Sequence, residues 1–191
     1  MTYRICQWLL NVIYSVLFRL QAQGTENIPA TGAVLLCSNH ISVLDPPTVG
    51  IKLRRKVHYM AKAELFAWKP FGAFLRTLGA FPVKRGGVSK ESIKLSLQLL
   101  RDGNVMGIFP EGTRNMDDTS AGKKGAAMIA LRSGAAVVPV RIVGSYKLFG
   151  KTTVVYGKPI DMSVFQDEAA SDLLENATEL IMRRIRELKI T

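Results

Sequence analysis

Only two cysteines and two histidines occur in the 191 residues. Cys6 lies in an apolar N-terminal segment and Cys37 in an apolar run. Two thiols cannot build a disulfide framework, so both are read as reduced. No cluster of Cys, His and carboxylate residues has metal-ligand spacing, which argues against a metal centre. Acidic residues are also scarce: 15 Asp and Glu stand against 26 Lys and Arg, a formal charge of +11. Such a field favours an anionic partner, whether nucleic acid, an acidic membrane leaflet or a phosphorylated substrate. Internal repeats and low-complexity stretches are missing. What remains is a chain that is 48% hydrophobic, enough for one compact domain with a real core or two small ones.

The chain also lacks an unbroken apolar run of the roughly 20 residues that a spanning helix needs. The nearest approach, residues 5–20, is broken by Gln7, Asn11, Ser15 and Arg19. These recur every fourth position, on one helical face. The spacing predicts an amphipathic helix with a narrow polar stripe, lying in a membrane interface; packing on the protein's own core and a cleaved signal are the alternatives. Residues 65–76 mix Phe66, Trp68, Phe71 and Phe74 with Lys69 and Arg76, a composition suited to lipid headgroups or to a buried aromatic cluster. Upstream, Lys52, Arg54, Arg55 and Lys56 form a cationic run that attracts anionic lipids or is a solvated face. Taken together, these segments divide the chain into a membrane-associating helix, residues 1–23, and a main domain, residues 24–191.

Along the main domain, a turn-rich linker at 24–32 leads to a buried strand at 33–38 and a short helix at 45–53. A strand at 57–61 follows, then a helix at 62–78 interrupted at Pro70 and Gly72, and a strand at 79–84 ending in a turn at 85–87. Further on come a helix at 89–101, a strand at 105–109, a helix at 124–132, strands at 136–143 and 151–156, and a helix from 163 to 188. Alternation of this kind predicts an α/β domain: a central mixed, largely parallel sheet flanked by helices.

Two strings follow apolar strands, at the carboxyl ends where such sheets keep their sites. The first is Asn39-His40-Ile41-Ser42-Val43-Leu44-Asp45. A neutral imidazole at His40 can accept a proton, and a carboxylate can fix its tautomer. On an ideal helix five residues separate side chains by roughly 140°, so the pair forms only if residues 39–44 make a turn. The plain alternative is Asp45 as a helix cap and His40 as a loop residue. The second string is Phe109-Pro110-Glu111-Gly112-Thr113-Arg114. Arg114 offers a fork of donors for a phosphate, Gly112 allows close backbone approach and Thr113 adds a hydroxyl. Glu111 either bonds a substrate hydroxyl or positions Arg114. The other histidine, His58, belongs to neither string and is read as structural.

The two strings together resemble motifs of the glycerolipid acyltransferase family. Two further stretches of that family occur in order: Gly79-Ala80-Phe81-Pro82-Val83-Lys84-Arg85 and Val138-Pro139-Val140. Four blocks span residues 39 to 140. Two positions depart from the pattern, Asn115 in place of serine and Gly122 in place of an aromatic. The resemblance implies that His40 is a general base with Asp45 as its partner, and that Lys84, Arg85 and Arg114 hold a phosphate. It carries Glu111 and Gly112 over as substrate-site residues, and Thr113 joins them as a candidate on the strength of its hydroxyl. The implied reaction moves an acyl group from an acyl-carrier-protein or coenzyme A thioester to the 2-hydroxyl of lysophosphatidic acid. No cofactor is expected, and the amphipathic, aromatic and cationic segments point to a peripheral or monotopic location on the cytoplasmic face of a membrane. Glycerol 3-phosphate or another lysophospholipid is the alternative acceptor. A basic nucleic-acid binder is the reading from a different class, weakened by the lack of any helix-turn-helix, zinc-finger or RNA-recognition pattern. A catalytically dead membrane scaffold is the third.

Overall fold

Val34, Leu35, Leu36 and Cys37 are all inaccessible to solvent, which an apolar run achieves only at the centre of a sheet covered on both faces. The structure, a computed structural model, describes residues 2–83, 90–112, 122–165 and 172–190. Its helices are α1 (Thr2–Leu17), α2 (Asp45–Gly50), α3 (Lys69–Thr77), α4 (Lys90–Arg101), α5 (Lys124–Ser133) and α6 (Leu173–Glu187). Its strands are β1 (Gln21–Gln23), β2 (Val34–Ser38), β3 (Val57–Lys62), β4 (Ala80–Val83), β5 (Val105–Ile108), β6 (Ala136–Gly144) and β7 (Thr152–Tyr156). They form one seven-stranded sheet in the order β1-β7-β6-β2-β5-β3-β4. Every pairing is parallel except β6 with β7. The mixed, largely parallel α/β sheet is therefore present.

Alternate side chains of β2 enter different cores. Leu35 and Cys37 join Met106 and Ile108 against Leu100 of α4, Ile129 of α5 and Ile181 of α6. Val34 and Leu36 join Val105 and Val138 against Val49 of α2 and Leu53. Each fully buried aliphatic side chain of this kind contributes about 1.5–3 kcal/mol. Burial pushes the Cys37 thiol up to about 12, so it behaves as a small hydrophobe; both cysteines are free.

Several boundaries differ from the sequence reading for physical reasons. The stretch at 62–78 breaks earlier than Pro70: a 3-10 turn at Ala63–Phe66 gives way to α3, whose first turn accommodates the proline. Gly72 does not interrupt α3 but lies inside it, packed on the Phe66 backbone. The strand β1 went unforeseen because Gln-Ala-Gln has no apolar alternation; it pairs with β7, Gln21 opposite Thr153. A 3-10 turn at Ser163–Phe165 precedes α6, which begins only at Leu173. The turn expected at 85–87 lies outside the described residues.

The helix α1 is turned with its polar stripe inward. Gln7 Nε2 donates to the carbonyls of Ile51 (3.2 Å) and Leu53 (2.7 Å), satisfying acceptors beyond the end of α2. Ser15 Oγ accepts from Lys52 Nζ at 3.0 Å, and Arg4 donates to the Arg54 carbonyl at 2.6 Å. Leu10, Tyr14 and Phe18 pack with Leu20, Leu44 and Ile51. Ile5, Trp8, Leu9, Val12, Ile13 and Val16 face outward, Trp8 with 66% of its surface exposed. Of the cationic run, Arg55 donates to the carbonyls of Pro29, Gly32 and Gly103, and Lys56 to that of Thr77. These cations tie the chain together as well as carrying charge.

Gly107 stands opposite Tyr59 in the β3–β5 ladder. A Cβ there would come within 2.1 Å of the Tyr59 ring, a contact that a rigid aromatic cannot relieve by flexing. Gly107→Ala is expected to destabilise the fold by about 1–3 kcal/mol, as overpacking does. Urea unfolding with an unchanged slope and a lowered midpoint is the expected result.

Candidate functional site

The turn after β2 is held by a side chain that imitates backbone. The β2–β6 ladder ends at Ser38 opposite Val140. Beyond it, Asn39 Nδ2 donates to the Ile142 carbonyl at 3.1 Å, and the Ile142 amide donates to Asn39 Oδ1 at 2.7 Å. The amide group continues the pairing while the main chain is free to bend away.

That bend brings His40 onto Asp45. His40 Nδ1 lies 2.6 Å from Asp45 Oδ2. The same oxygen accepts from the amides of Ile41 at 2.7 Å and Ser42 at 2.8 Å. Asp45 therefore does not cap its own helix; its carboxylate turns back to organise the loop before it. Its side chain is fully buried. A buried carboxylate costs free energy unless its acceptor sites are filled, and here hydrogen bonds fill them. Since an ionised carboxylate only accepts, this contact suits a proton on Nδ1, and in the neutral imidazole Nε2 then carries the lone pair. The His40 side chain retains 17% exposure, so a ligand can reach the ring.

The second string meets the first through Phe109. Its ring stacks on His40 with centroids 4.2 Å apart and planes 20° from parallel. Tyr59 stacks beyond it at 6.2 Å, in the space that Gly107 leaves. Glu111 is buried. Gly112 adopts a left-handed conformation, φ 69°, and its amide donates to the Phe109 carbonyl at 3.0 Å. This closes a tight turn that a side chain would strain. Lys84, Arg85, Thr113 and Arg114 lie outside the described residues. The strands β2, β5, β3 and β4 are mutually parallel, so His40, Phe109 and the end of β4 at Val83 lie at the same end of the sheet. Pro82 is tolerated in β4 because that strand is at the sheet's edge.

Some contributors were not singled out in the sequence. Phe109 supports the imidazole from within its own motif. Lys123, from the segment before α5, lays its side chain over Gly112: a Cβ on Gly112 would meet Lys123 Cδ at 2.7 Å and Nζ at 3.0 Å. Tyr146 donates to Asp45 Oδ1 at 2.7 Å from more than 100 residues away in sequence. No spacing rule points to these contacts, since each depends on how distant elements pack. His58 is half-buried, with Nδ1 3.2 Å from the Val105 carbonyl. Burial pushes its pKa below the usual imidazole value, as for a structural histidine. Among the described residues no group of three or more His, Cys, Asp or Glu side chains could hold a metal ion.

Known proteins share both the sequence and the fold. Residues 19–143 match the family model described as Acyltransferase. The chain is similar to the 1-acyl-sn-glycerol-3-phosphate acyltransferase of Bacillus subtilis (strain 168), 36% identical over 98% of this chain and 96% of that protein. It is 26% identical to the enzyme of the same name from Borreliella burgdorferi, over 98% of this chain and 77% of the other. A solved structure, that of the 1-acyl-sn-glycerophosphate (LPA) acyltransferase PlsC from Thermotoga maritima, matches with a TM-score of 0.69 at 26% identity. The match covers 90% of this chain and 73% of that one. The reach of the family match and the near full-length similarity to these enzymes lead to one conclusion: the chain belongs to the acyltransferase family.

Proposed function

We propose that this protein transfers an acyl group from a thioester to the 2-hydroxyl of 1-acyl-sn-glycerol 3-phosphate, giving phosphatidic acid for phospholipid synthesis. The names of its full-length relatives support that acceptor. The observation that carries the chemistry is the 2.6 Å contact between His40 Nδ1 and the buried Asp45 carboxylate, which leaves Nε2 as the base.

In this reading His40 Nε2 takes the proton of the acceptor hydroxyl as its oxygen attacks the thioester carbonyl. The imidazolium that forms is stabilised by Asp45. The tetrahedral intermediate then collapses, the carbon–sulfur bond breaks, and His40 returns the proton to the leaving thiolate. No enzyme nucleophile is needed, because the substrate hydroxyl is the nucleophile. Lys84, Arg85 and Arg114 hold the phosphate, with Glu111, Gly112 and Thr113 on the glycerol side. Phe109 keeps the imidazole plane fixed beneath the substrate. The donor is an acyl-carrier-protein or coenzyme A thioester, and the chemistry requires no cofactor.

The same reading places the protein on a membrane, as a peripheral or monotopic enzyme on the cytoplasmic face, with residues 1–23 as the associating unit and 24–191 as the acyltransferase domain. Among the described residues no helix is long and apolar enough to cross a bilayer. The outward apolar row of α1 supports interfacial binding, since an apolar face in water is stabilised by burial in the acyl boundary. Trp68, 68% exposed, Phe71 and Phe74 add aromatic surface on and before α3. Lys56 joins the two helices, donating to the Thr77 carbonyl and lying 5.4 Å from the Tyr3 ring centroid.

Two measurements check these proposals. Thiol release from an acyl thioester, with and without 1-acyl-glycerol 3-phosphate, is expected to be acceptor-dependent and to fall about 10²–10⁴-fold in His40→Ala, the usual worth of a general base. Full activity in that variant would overturn the mechanism, and activity with glycerol 3-phosphate alone would reassign the acceptor. For the membrane, Trp8→Glu with Val12→Glu is expected to lower co-sedimentation with anionic phospholipid vesicles several-fold at an unchanged melting temperature. Undiminished binding would remove α1 from the membrane contact.

A further inference from the structure

Asp45 has two carboxylate oxygens, and they have different partners. Oδ2 serves His40 and the two loop amides. Oδ1 accepts from the hydroxyl of Tyr146 at 2.7 Å. Tyr146 lies in the segment between β6 and β7, remote from both motif strings. Its hydroxyl also lies 2.8 Å from Thr48 Oγ1, which itself donates to the Leu44 carbonyl at 2.9 Å. Burial, together with the neighbouring Asp45 charge, pushes the Tyr146 pKa well up, so the phenol stays a donor at every working pH.

The ring of Tyr146 is seated as firmly as its hydroxyl. It meets Phe18 edge-to-face with centroids 5.3 Å apart, and Phe18 meets Tyr14 in the same way at 5.4 Å. The backbone around it is tied to the end of α1: the Phe149 amide donates to the Leu17 carbonyl at 2.6 Å, and that of Thr152 to the Phe18 carbonyl at 3.0 Å. The side chain that completes the Asp45 shell is thus held by the helix that carries the outward apolar face.

We propose that Tyr146 is a positioning residue for the acyl transfer, holding Asp45 Oδ1 so that Oδ2 stays aimed at His40 Nδ1, with its own ring anchored by Phe18. The proposal rests on the reading of His40 as the base. A carboxylate bonded at both oxygens cannot swing about its terminal torsion, and the imidazole it orients keeps one tautomer and one direction. Without the hydroxyl, Oδ1 is left in a buried place with its donor gone, which favours rotation of the carboxylate. A carboxylate turned away from Nδ1 also stabilises the imidazolium less, which favours the neutral base.

Tyr146→Phe tests this, because it keeps the ring on Phe18 and removes only the hydroxyl. The titratable groups facing Asp45 are His40 from the turn, Tyr146, Tyr14 of α1 and Tyr59 of β3. The three phenols are all pushed up by burial, so none of them titrates in the acid limb. In the full-length enzyme with vesicle-presented 1-acyl-glycerol 3-phosphate, kcat is expected to fall about tenfold with acceptor KM changed by less than about twofold. The acid limb of kcat/KM is expected to move to lower pH. Phe18→Leu, which loosens the seat and keeps the hydroxyl, is expected to move the limb the same way by less. An unmoved acid limb in Tyr146→Phe, whether or not kcat falls, overturns the positioning role while loss of turnover in His40→Ala leaves the base assignment standing. A Phe18→Leu profile identical to wild type overturns the anchoring by α1. Full turnover in His40→Ala overturns the base assignment, and the role of Tyr146 with it.

Discussion

A carboxylate with no solvent contact has to find all its partners inside the protein, and much of this site follows from how Asp45 does so. Two amide donors come from the loop just before it, which obliges residues 41 and 42 to curl around the side chain. A third partner is the imidazole of His40, and a fourth the phenol of Tyr146. Removing any one donor leaves part of a buried charge exposed to an apolar surrounding, a cost of several kcal/mol for an unpaired ion. The loop shape, the tautomer of His40 and the placement of residue 146 are in that sense one requirement met three ways.

The sheet supplies the rigidity that this arrangement needs. Asn39 carries the β2–β6 pairing one step past the end of the strand, so the turn starts from a fixed point. One face of the imidazole rests on Phe109, which reaches it from the end of the neighbouring strand β5. Beneath Phe109 lies Tyr59, in a place available only because residue 107 has no side chain. A stack built this way from Gly107 to His40 crosses three strands, and packed interiors transmit displacement along such contacts. The helix α1 inverts much of the usual arrangement of a surface helix: Gln7 binds carbonyls of the body and Ser15 accepts from Lys52, while a row of apolar side chains points away from it. That orientation follows from the chemistry of the α2 carboxyl end, whose free carbonyls attract donors more than they do methyl groups.

Much of this was legible in the sequence, and the parts that were not share a cause. Continuous apolar runs identified β2 and β5, and the placing of both motifs directly after them predicted that they meet. The geometric argument about five-residue spacing demanded a turn between His40 and Asp45, and a turn is there. The polar residues at 7, 11 and 15 were seen to share a face, but nothing in the periodicity says whether that face looks inward or outward. Tyr146, Phe109 and Lys123 act through contacts between distant segments, and their residue types alone carry no mark of such a role. The strand β1 escaped because three residues are too few to show a period, and Gly72 was mistaken for a break because a glycine chosen for close packing resembles one chosen for flexibility.

The most direct test of the central claim is the turnover of Asp45→Asn with 1-acyl-glycerol 3-phosphate as acceptor, measured on protein shown to be folded. Asparagine keeps the volume and one acceptor oxygen but neither the charge nor the fixed tautomer. If the carboxylate orients the base and stabilises the imidazolium, kcat/KM should fall by about 10³–10⁴-fold, the range seen when the acid of such a pair is neutralised. A folded Asp45→Asn protein that keeps turnover within about tenfold of wild type would show that the buried carboxylate serves the loop alone, and would contradict the account.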